Sequence, residues 1–209
     1  MLSFAAILAG GENTRIGRPK ALLEIGGKPM IQRTLDLLGG RFMRVAVSTN
    51  SPEEYFRFGA PLVGDVYNVR CPMSGIFSAL YWSGAEEAFI TACDMPFISP
   101  AVMDMLIARY TELKREKGRR RGALVPRWNG LPEPLLAIYS SECLPAMEAH
   151  ILSGRTGIPE LLEEVGAAYL DEVEIRKVDP DGASFFNVNT PQDIQNALAY
   201  QDAMIKQAN

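Results

Sequence analysis

Short apolar runs alternate with amphipathic stretches along this chain, and the alternation predicts strands followed by helices. Residues 4–8 (FAAIL), 44–49 (RVAVST), 60–63 and 88–92 (AFITA) are short, apolar or β-branched, and each stops at a polar turn. The run 88–92 is apolar on both faces, which suits the centre of a parallel sheet. Ile31, Leu35 and Leu38 repeat at the 3–4 spacing of a helix that Lys28-Pro29 opens and Gly39-Gly40 stops. Ile76, Leu80 and Trp82 continue a helical pattern after Cys71-Pro72, and 102–113 is amphipathic again. Further strands are expected at 123–127 and 135–139, joined through Trp128-Asn129-Gly130, and a late or edge strand at 173–178, where polarity alternates. Short helices fit 143–152 and 157–165, Pro180-Asp181-Gly182 is a turn, and a last helix begins with Thr190 as N-cap, Pro191 in its first position and Asp193 in its first turn.

Such alternation indicates an α/β domain with a mostly parallel sheet. Ligands of these sheets bind beyond the carboxyl ends of the strands. That rule gathers Gly10, Gly11, Asn50, Asp65 and Asp94 on one rim, although the sequence scatters them. With no internal repeat and no low-complexity linker, residues 1–209 read as one domain.

The first strand breaks at Gly10-Gly11, and a polar segment with Arg15, Gly17 and Lys20 follows before Ala21-Leu22-Leu23. Paired glycines at a strand end leave bare backbone N–H groups open to an anion. Arg15 adds a planar fork and Lys20 a point charge, so the loop suits a polyphosphate. The alternative is a plain glycine-rich turn with both cations solvated. Neither G-x-x-x-x-G-K-[ST] nor G-x-G-x-x-G is present, since the glycines fall at 10, 11 and 17.

Composition narrows the chemistry. The chain has one histidine, His150, which reads as a surface or partly buried helix residue, and three well-separated cysteines without a C-x-x-C pair. Ser-His-Asp and Cys-His catalysis, a disulfide framework and a structural zinc are therefore poor fits. A net charge of −4 argues against general nucleic-acid binding. The absence of a long apolar stretch and of a basic leader argues against a membrane span or signal peptide, leaving the cytoplasm as the expected location. The basic run 114–121 (KREKGRRR) reads as a solvated helix tip or, more sharply, a landing patch for an anionic substrate or acidic partner.

Asp94 ends the apolar run 88–92, where a carboxylate is costly to desolvate unless a cation meets it. A hard divalent ion, Mg²⁺ above all, would fit there. Helix capping or a bond within its own turn is the alternative.

Three motifs carry a resemblance that spans 8–193: L-A-G-G-x-x-x-R-I-G-x-x-K-A-L-L from Leu8, C-D-M-P-F at 93–97, and F-x-N-V-N-T-P-x-D-I at 185–194. Together they resemble the nucleotidyltransferases and, more narrowly, the molybdenum cofactor guanylyltransferases, to which the double glycine and the Asn pair point. One departure is Pro19, where that family usually has Asp. The resemblance implies a three-layer α/β/α, Rossmann-like sheet of the nucleotide-diphospho-sugar transferase type. It implies GTP and a molybdopterin-type phosphate as substrates, Mg²⁺ at Asp94, and molybdoenzymes or cofactor-biosynthesis proteins as partners. Arg15, Lys20 and Asp94 take catalytic roles, and Leu8, Ala9, Gly10, Gly11, Lys20, Asn50, Asp65 and Asp94 hold the nucleotide. Asn187 and Asn189 reach the acceptor or help hold the metal, and the segment Pro132-Glu133-Pro134-Leu135-Leu136 resembles a stretch of that family that runs into a strand lining the acceptor side. A CTP-dependent or sugar-phosphate relative, or a nucleotide-binding regulator without activity, are the competing expectations.

Overall fold

The computed structural model describes residues 2–10, 19–116 and 121–208. In chain order the strands and helices are β1 (Phe4–Leu8), β2 (Glu24–Ile25), β3 (Lys28–Pro29), α1 (Met30–Gly39), β4 (Arg44–Ser48), α2 (Pro52–Tyr55), β5 (Leu62–Val63), α3 (Pro72–Ser83) and β6 (Glu87–Ala92). They continue with α4 (Pro100–Arg115), β7 (Ala123–Trp128), β8 (Leu131–Pro132), β9 (Leu136–Ser140), α5 (Leu144–Leu152), α6 (Ile158–Glu164), β10 (Ala168–Leu170), α7 (Glu172–Ile175) and α8 (Pro191–Ala208).

The main sheet has the order β10-β7-β9-β6-β1-β4-β5, with β8 paired to β7. β1 runs parallel to β4 and β6, β4 to β5, and β10 to β7; β9 runs against both of its neighbours. The expected mostly parallel α/β sheet is thus observed. Its two faces follow from the two-residue period of a strand. Ala5, Ile7 and Ala9 of the first strand segment face a core with Ile31, Leu35 and Leu38 of α1 and Val102, Met103 and Leu106 of α4. Phe4, Ala6 and Leu8 face the other core, with Ile76, Phe77 and Leu80 of α3, Met147 and Ile151 of α5, and Leu161 and Leu162 of α6. Helices cover both faces, giving the three layers.

A third, smaller core lies apart from these layers. Leu23, Ile25 and Met30 pack there with Phe97, Val188 and Ala197. It joins the β2–β3 hairpin to α8, whose start carries a capping box: Asp193 N donates to Thr190 Oγ1 at 3.2 Å, and Asp193 Oδ2 accepts from Asn189 N and Thr190 N at 2.9 and 2.8 Å. The Thr190–Pro191–Asp193 start expected for the last helix is present.

Several expectations need correction. Residues 173–178 are not a strand. Glu172–Ile175 is a helical turn closed by the Glu172–Arg176 ion pair at 2.6 Å, and of its apolar residues only Ile175 is buried, whereas Val173 is 74% exposed. Alternating polarity here reflects solvated valines rather than a pleat. The late strand is instead β10, only three residues long. Lys28-Pro29 forms a short strand after the Gly26-Gly27 turn, where both glycines have positive φ, and the helix starts one residue later at Met30. The third strand shrinks to Leu62–Val63. Asn129-Gly130 does turn the chain, but into β8. Between the pairs Leu124↔Ile138 and Arg127↔Pro132, β7 has residues 125–126 and the opposing chain 133–137, so three residues bulge out. His150 is fully buried, its Nε2 lying 2.8 Å from Glu164 Oε2, and its Nδ1 has no hydrogen-bond partner among the described residues.

The β7–β8 turn is locked to the segment before α8. Trp128 stacks on Phe185 with ring centroids 5.1 Å apart, Arg176 lies over the Trp128 ring, and Gly182 sits against its edge. A Cβ on Gly182 would lie 1.9 Å from Trp128 Cζ2, at a φ of +69° that favours glycine. Gly182→Ala is expected to destabilise the protein by about 2 kcal/mol or more. A denaturant titration followed by Trp fluorescence checks this, and an unchanged midpoint would show that the segment is not tied to Trp128.

Candidate functional site

The ladders set the level of the rim. Leu8 pairs with both Ser48 and Ala92, and Ser48 pairs with Val63. Two residues beyond those pairs stand Gly10, Asn50, Asp94 and Asp65, so the sheet brings together the described residues of the expected rim. Three strand spacings separate the Asp94 and Asp65 ends, about 14 Å. Gly11, Arg15 and Gly17 lie outside the described residues.

Leu8 and Ala9 are committed to the sheet. Leu8 O accepts from Cys93 N, Ala9 N donates to Ser48 O at 2.9 Å, and Ala9 O accepts from Tyr55 Oη. Gly10 is the first open position: a Cβ there would meet no atom within 4 Å. The first turn of α3 abuts the same strand ends, because a Cβ on Gly75 would lie 3.2 Å from both Leu8 Cδ2 and Ser48 Oγ. A helix N-terminus beside an open backbone favours anions.

At the β4–β5 end, Asn50 and Asp65 clamp each other. Asn50 Nδ2 donates to Asp65 Oδ2 at 2.7 Å, and Asp65 N donates to Asn50 Oδ1 at 2.9 Å. Burial pushes the Asp65 carboxyl above the usual carboxylate range, and the Asn50 donor opposes that rise.

At the β6 end the site is ionic. Lys20 stands in a single 3-10 turn, Lys20–Leu22, entered from Pro19. Its Nζ donates to Asn189 Oδ1 at 2.6 Å and lies 3.6 Å from Asp94 Oδ2. The two charged side chains are only 22% and 20% exposed. Burial pushes the Asp94 carboxyl up, and the Lys20 ammonium is the largest influence holding it down. Asp94 O also accepts from Val188 N at 2.9 Å, tying the strand end to the segment that carries Asn189. Lys20 and Asp94 therefore face one cleft. Asn187 differs from its neighbour, for its Nδ2 donates to Phe185 O at 3.2 Å.

One contributor escaped the sequence reading, and a second was read without its geometry. Arg33 donates to Ile25 O, Pro96 O and Gln201 Oε1, binding the hairpin, the turn after Asp94 and α8 to one side chain. No local pattern marks it, because all three partners are tertiary. Glu133 stands at the start of the three-residue bulge, two residues before Leu135, whose carbonyl accepts from Ala92 N near the end of β6. Burial raises its carboxyl above the usual range. The neighbouring prolines were visible, but the bulge that re-aims the chain was not. Lys114 pairs with Glu87 at the opposite end of β6, about 20 Å along the strand from Asp94, which places the start of the basic run away from the cleft.

Among the described residues no group of three or more His, Cys, Asp or Glu side chains could hold a metal by itself. Asp94 with the Asn189 carbonyl forms a two-oxygen donor set, which suits an ion that takes its remaining ligands from phosphates and water.

A cation and oxygen donors at one end of the rim, with a hydrogen-bonded acid and amide at the other, suit the two ends of a nucleotide laid across the strand ends of an α/β nucleotidyltransferase. The comparisons bear on that class. Residues 5–172 match the family described as MobA-like NTP transferase domain, and the chain belongs to it. A molybdenum cofactor guanylyltransferase from Desulfosudis oleivorans is 34% identical over 194 residues, 92% of this chain and 93% of that protein. The crystal structure of molybdopterin-guanine dinucleotide biosynthesis protein A from Archaeoglobus fulgidus superposes with a TM-score of 0.84 at 29% identity, covering 96% of this chain and all of that one. The 2-C-methyl-D-erythritol 4-phosphate cytidylyltransferase from Thermus thermophilus, at 15% identity and a TM-score of 0.66 over 94% of this chain and 98% of that one, shares the fold.

Removing the Asn50 donor takes away a hydrogen bond that opposes the raised Asp65 carboxyl. Asn50→Ala is therefore expected to move that carboxyl further up, read by a carbon-detected NMR titration. An unmoved value would break the clamp.

Proposed function

We propose that the chain transfers GMP from GTP to the terminal phosphate of molybdenum-bound molybdopterin, releasing pyrophosphate and forming the guanine dinucleotide. The observation that carries the chemistry is the Lys20–Asp94–Asn189 cluster at the end of β6. Its relatives by name and by structure carry the choice of substrates.

The reaction needs no histidine. A phosphate oxygen of the acceptor is already anionic, so it attacks the α-phosphorus of GTP without a general base. A new P–O bond forms as the bond to the β-phosphate bridging oxygen breaks, and pyrophosphate leaves with that electron pair. What the protein must supply is alignment of two polyanions and relief of their repulsion. We assign the Gly10-Gly11 backbone, Arg15 and Lys20 to the triphosphate. Asn50 and Asp65 lie on the nucleoside side, with Leu8 and Ala9 shaping the floor, and Asn187 and Asn189 lie on the acceptor side. Asp94 and Asn189 would hold Mg²⁺, which when bound neutralises charge on the phosphate oxygens.

The acceptor is placed at the β6–β9 side, where the bulge at Glu133 and the segment 182–190 converge, because the nucleotide lies along β1, β4 and β5. Molybdoenzymes or cofactor-biosynthesis proteins would receive the product. Among the described residues no helix is long and apolar enough to cross a membrane. We place the protein in the cytoplasm, as a single domain over 1–209.

Incubation with molybdopterin and each labelled nucleoside triphosphate, followed by identification of the adduct, tests this reading. A guanylyl adduct is expected, and a cytidylyl adduct would replace the nucleotide assignment. Asp94→Ala is expected to lower turnover by about three orders of magnitude or more while the thermal transition persists. A fully active variant would remove Asp94 from the chemistry. Lys20→Ala is expected to weaken GTP binding severalfold in calorimetric titration, and an unchanged affinity would take Lys20 off the phosphates.

A further inference from the structure

Lys20 does not point into open solvent, for its side chain is only 22% exposed. Its ammonium sits between Asn189 Oδ1, at 2.6 Å, and Asp94 Oδ2, at 3.6 Å. A carboxylate oxygen and an amide carbonyl are the donors a small divalent ion takes. The geometry points to Lys20 as a placeholder for that ion: it occupies the position between Asp94 and Asn189 until polyphosphate draws it away, so divalent ion and nucleotide enter together.

The physical case has three parts. First, a largely buried Asp94 needs a cation beside it in every state, and Lys20 meets that need when no ion is bound. Second, an ammonium and a divalent ion cannot both occupy the position between Asp94 and Asn189, since two positive charges so close repel strongly where water is scarce and no phosphate lies between them. Third, a lysine can make the exchange. Its four-carbon stem is flexible, while its backbone is fixed by the turn in which Leu23 N donates to Lys20 O at 2.9 Å. The phosphates then gain both cations, and Asp94 trades a single charge for a double one. Such coupling is reciprocal: nucleotide should tighten the ion as much as the ion tightens nucleotide.

This inference rests on the assignment of Asp94 as the ion's holder. Mn²⁺ serves as the probe, with the free ion counted by electron paramagnetic resonance and the ion taken up by GTP alone subtracted. The wild-type protein alone is expected to bind Mn²⁺ weakly, and GTP to tighten it strongly. Lys20→Met and Lys20→Gln, without nucleotide, are each expected to bind Mn²⁺ about tenfold more tightly than wild type, the scale on which a neighbouring charge acts at a carboxylate. The added effect of GTP should shrink in both. The glutamine variant keeps a polar end without the charge, so a folding defect in the methionine variant leaves the test intact. No gain in either variant overturns the placeholder role. Asp94→Asn separates the two readings. If it abolishes Mn²⁺ binding in the presence of GTP while the Lys20 variants gain nothing, only the exchange falls; if it changes nothing, the metal assignment falls with it.

Discussion

A carboxylate at the end of a buried strand has to be answered by a positive charge, and here the answer comes from elsewhere in the chain. β6 is buried from Ala88 to Ala92, and Asp94 follows immediately in a cleft that disfavours its ionised form. Lys20 opposes that cost, but only because its turn is delivered to the spot. The delivery is apolar: Leu23, Ile25 and Met30, which follow Lys20, share one core with Val188 and Ala197, which flank Asn189, and with Phe97 from the turn after Asp94. Lys20 and Asn189 lie 169 residues apart and meet through this small core. Arg33 fastens the same three segments through polar contacts. The third core is therefore the frame of the ionic site, while the two larger cores support the sheet that presents it.

What was legible in the sequence follows from what a single local pattern can encode. β1 and β6 are recognisable because both of their faces are buried, which demands apolar residues at nearly every position. The rim was legible too, since each parallel strand ends in a polar turn and parallel register sets those ends level. The 173–178 segment failed because period-two alternation is also what two exposed valines around one buried isoleucine produce. The Glu172–Arg176 pair, four residues apart, was the competing helical signal. His150 failed for a different reason: its partner Glu164 is on another helix, so nothing beside it in sequence announces its burial.

The same distinction divides the candidate site. Gly10, Lys20, Asp65 and Asp94 could be read from type and position. Asn189 could be named, but not its bond to the lysine, which requires knowing that the chain's two ends converge. The segment around Glu133 could be named too, but not its bulge, because a bulge is a mismatch between two strands rather than a property of either. That bulge gives the cleft its asymmetry. On the β4–β5 side the rim is a regular parallel edge clamped by Asn50 and Asp65. On the β9 side it is irregular, built from the bulge and from the Trp128–Phe185 stack that pins the segment before α8. A nucleotide, whose shape is the same for every enzyme that uses it, suits the regular edge, and an acceptor particular to one reaction suits the irregular side.

The placement of the lone histidine bears on the chemistry as strongly as any residue in the cleft. α5 follows β9, which runs against β6 and ends with Ser140 opposite Glu87, at the far end of the sheet from Asp94. His150 on that helix is buried against Glu164 and packed beneath the opposite face. No imidazole can reach the rim without unfolding α5. Proton transfer by histidine is thus unavailable at this rim, and a nucleophile that arrives ionised asks least of it. A phosphate monoester meets that condition and a sugar hydroxyl does not. Among the acceptors that relatives of this fold can be imagined to use, the architecture favours one that attacks through a phosphate oxygen.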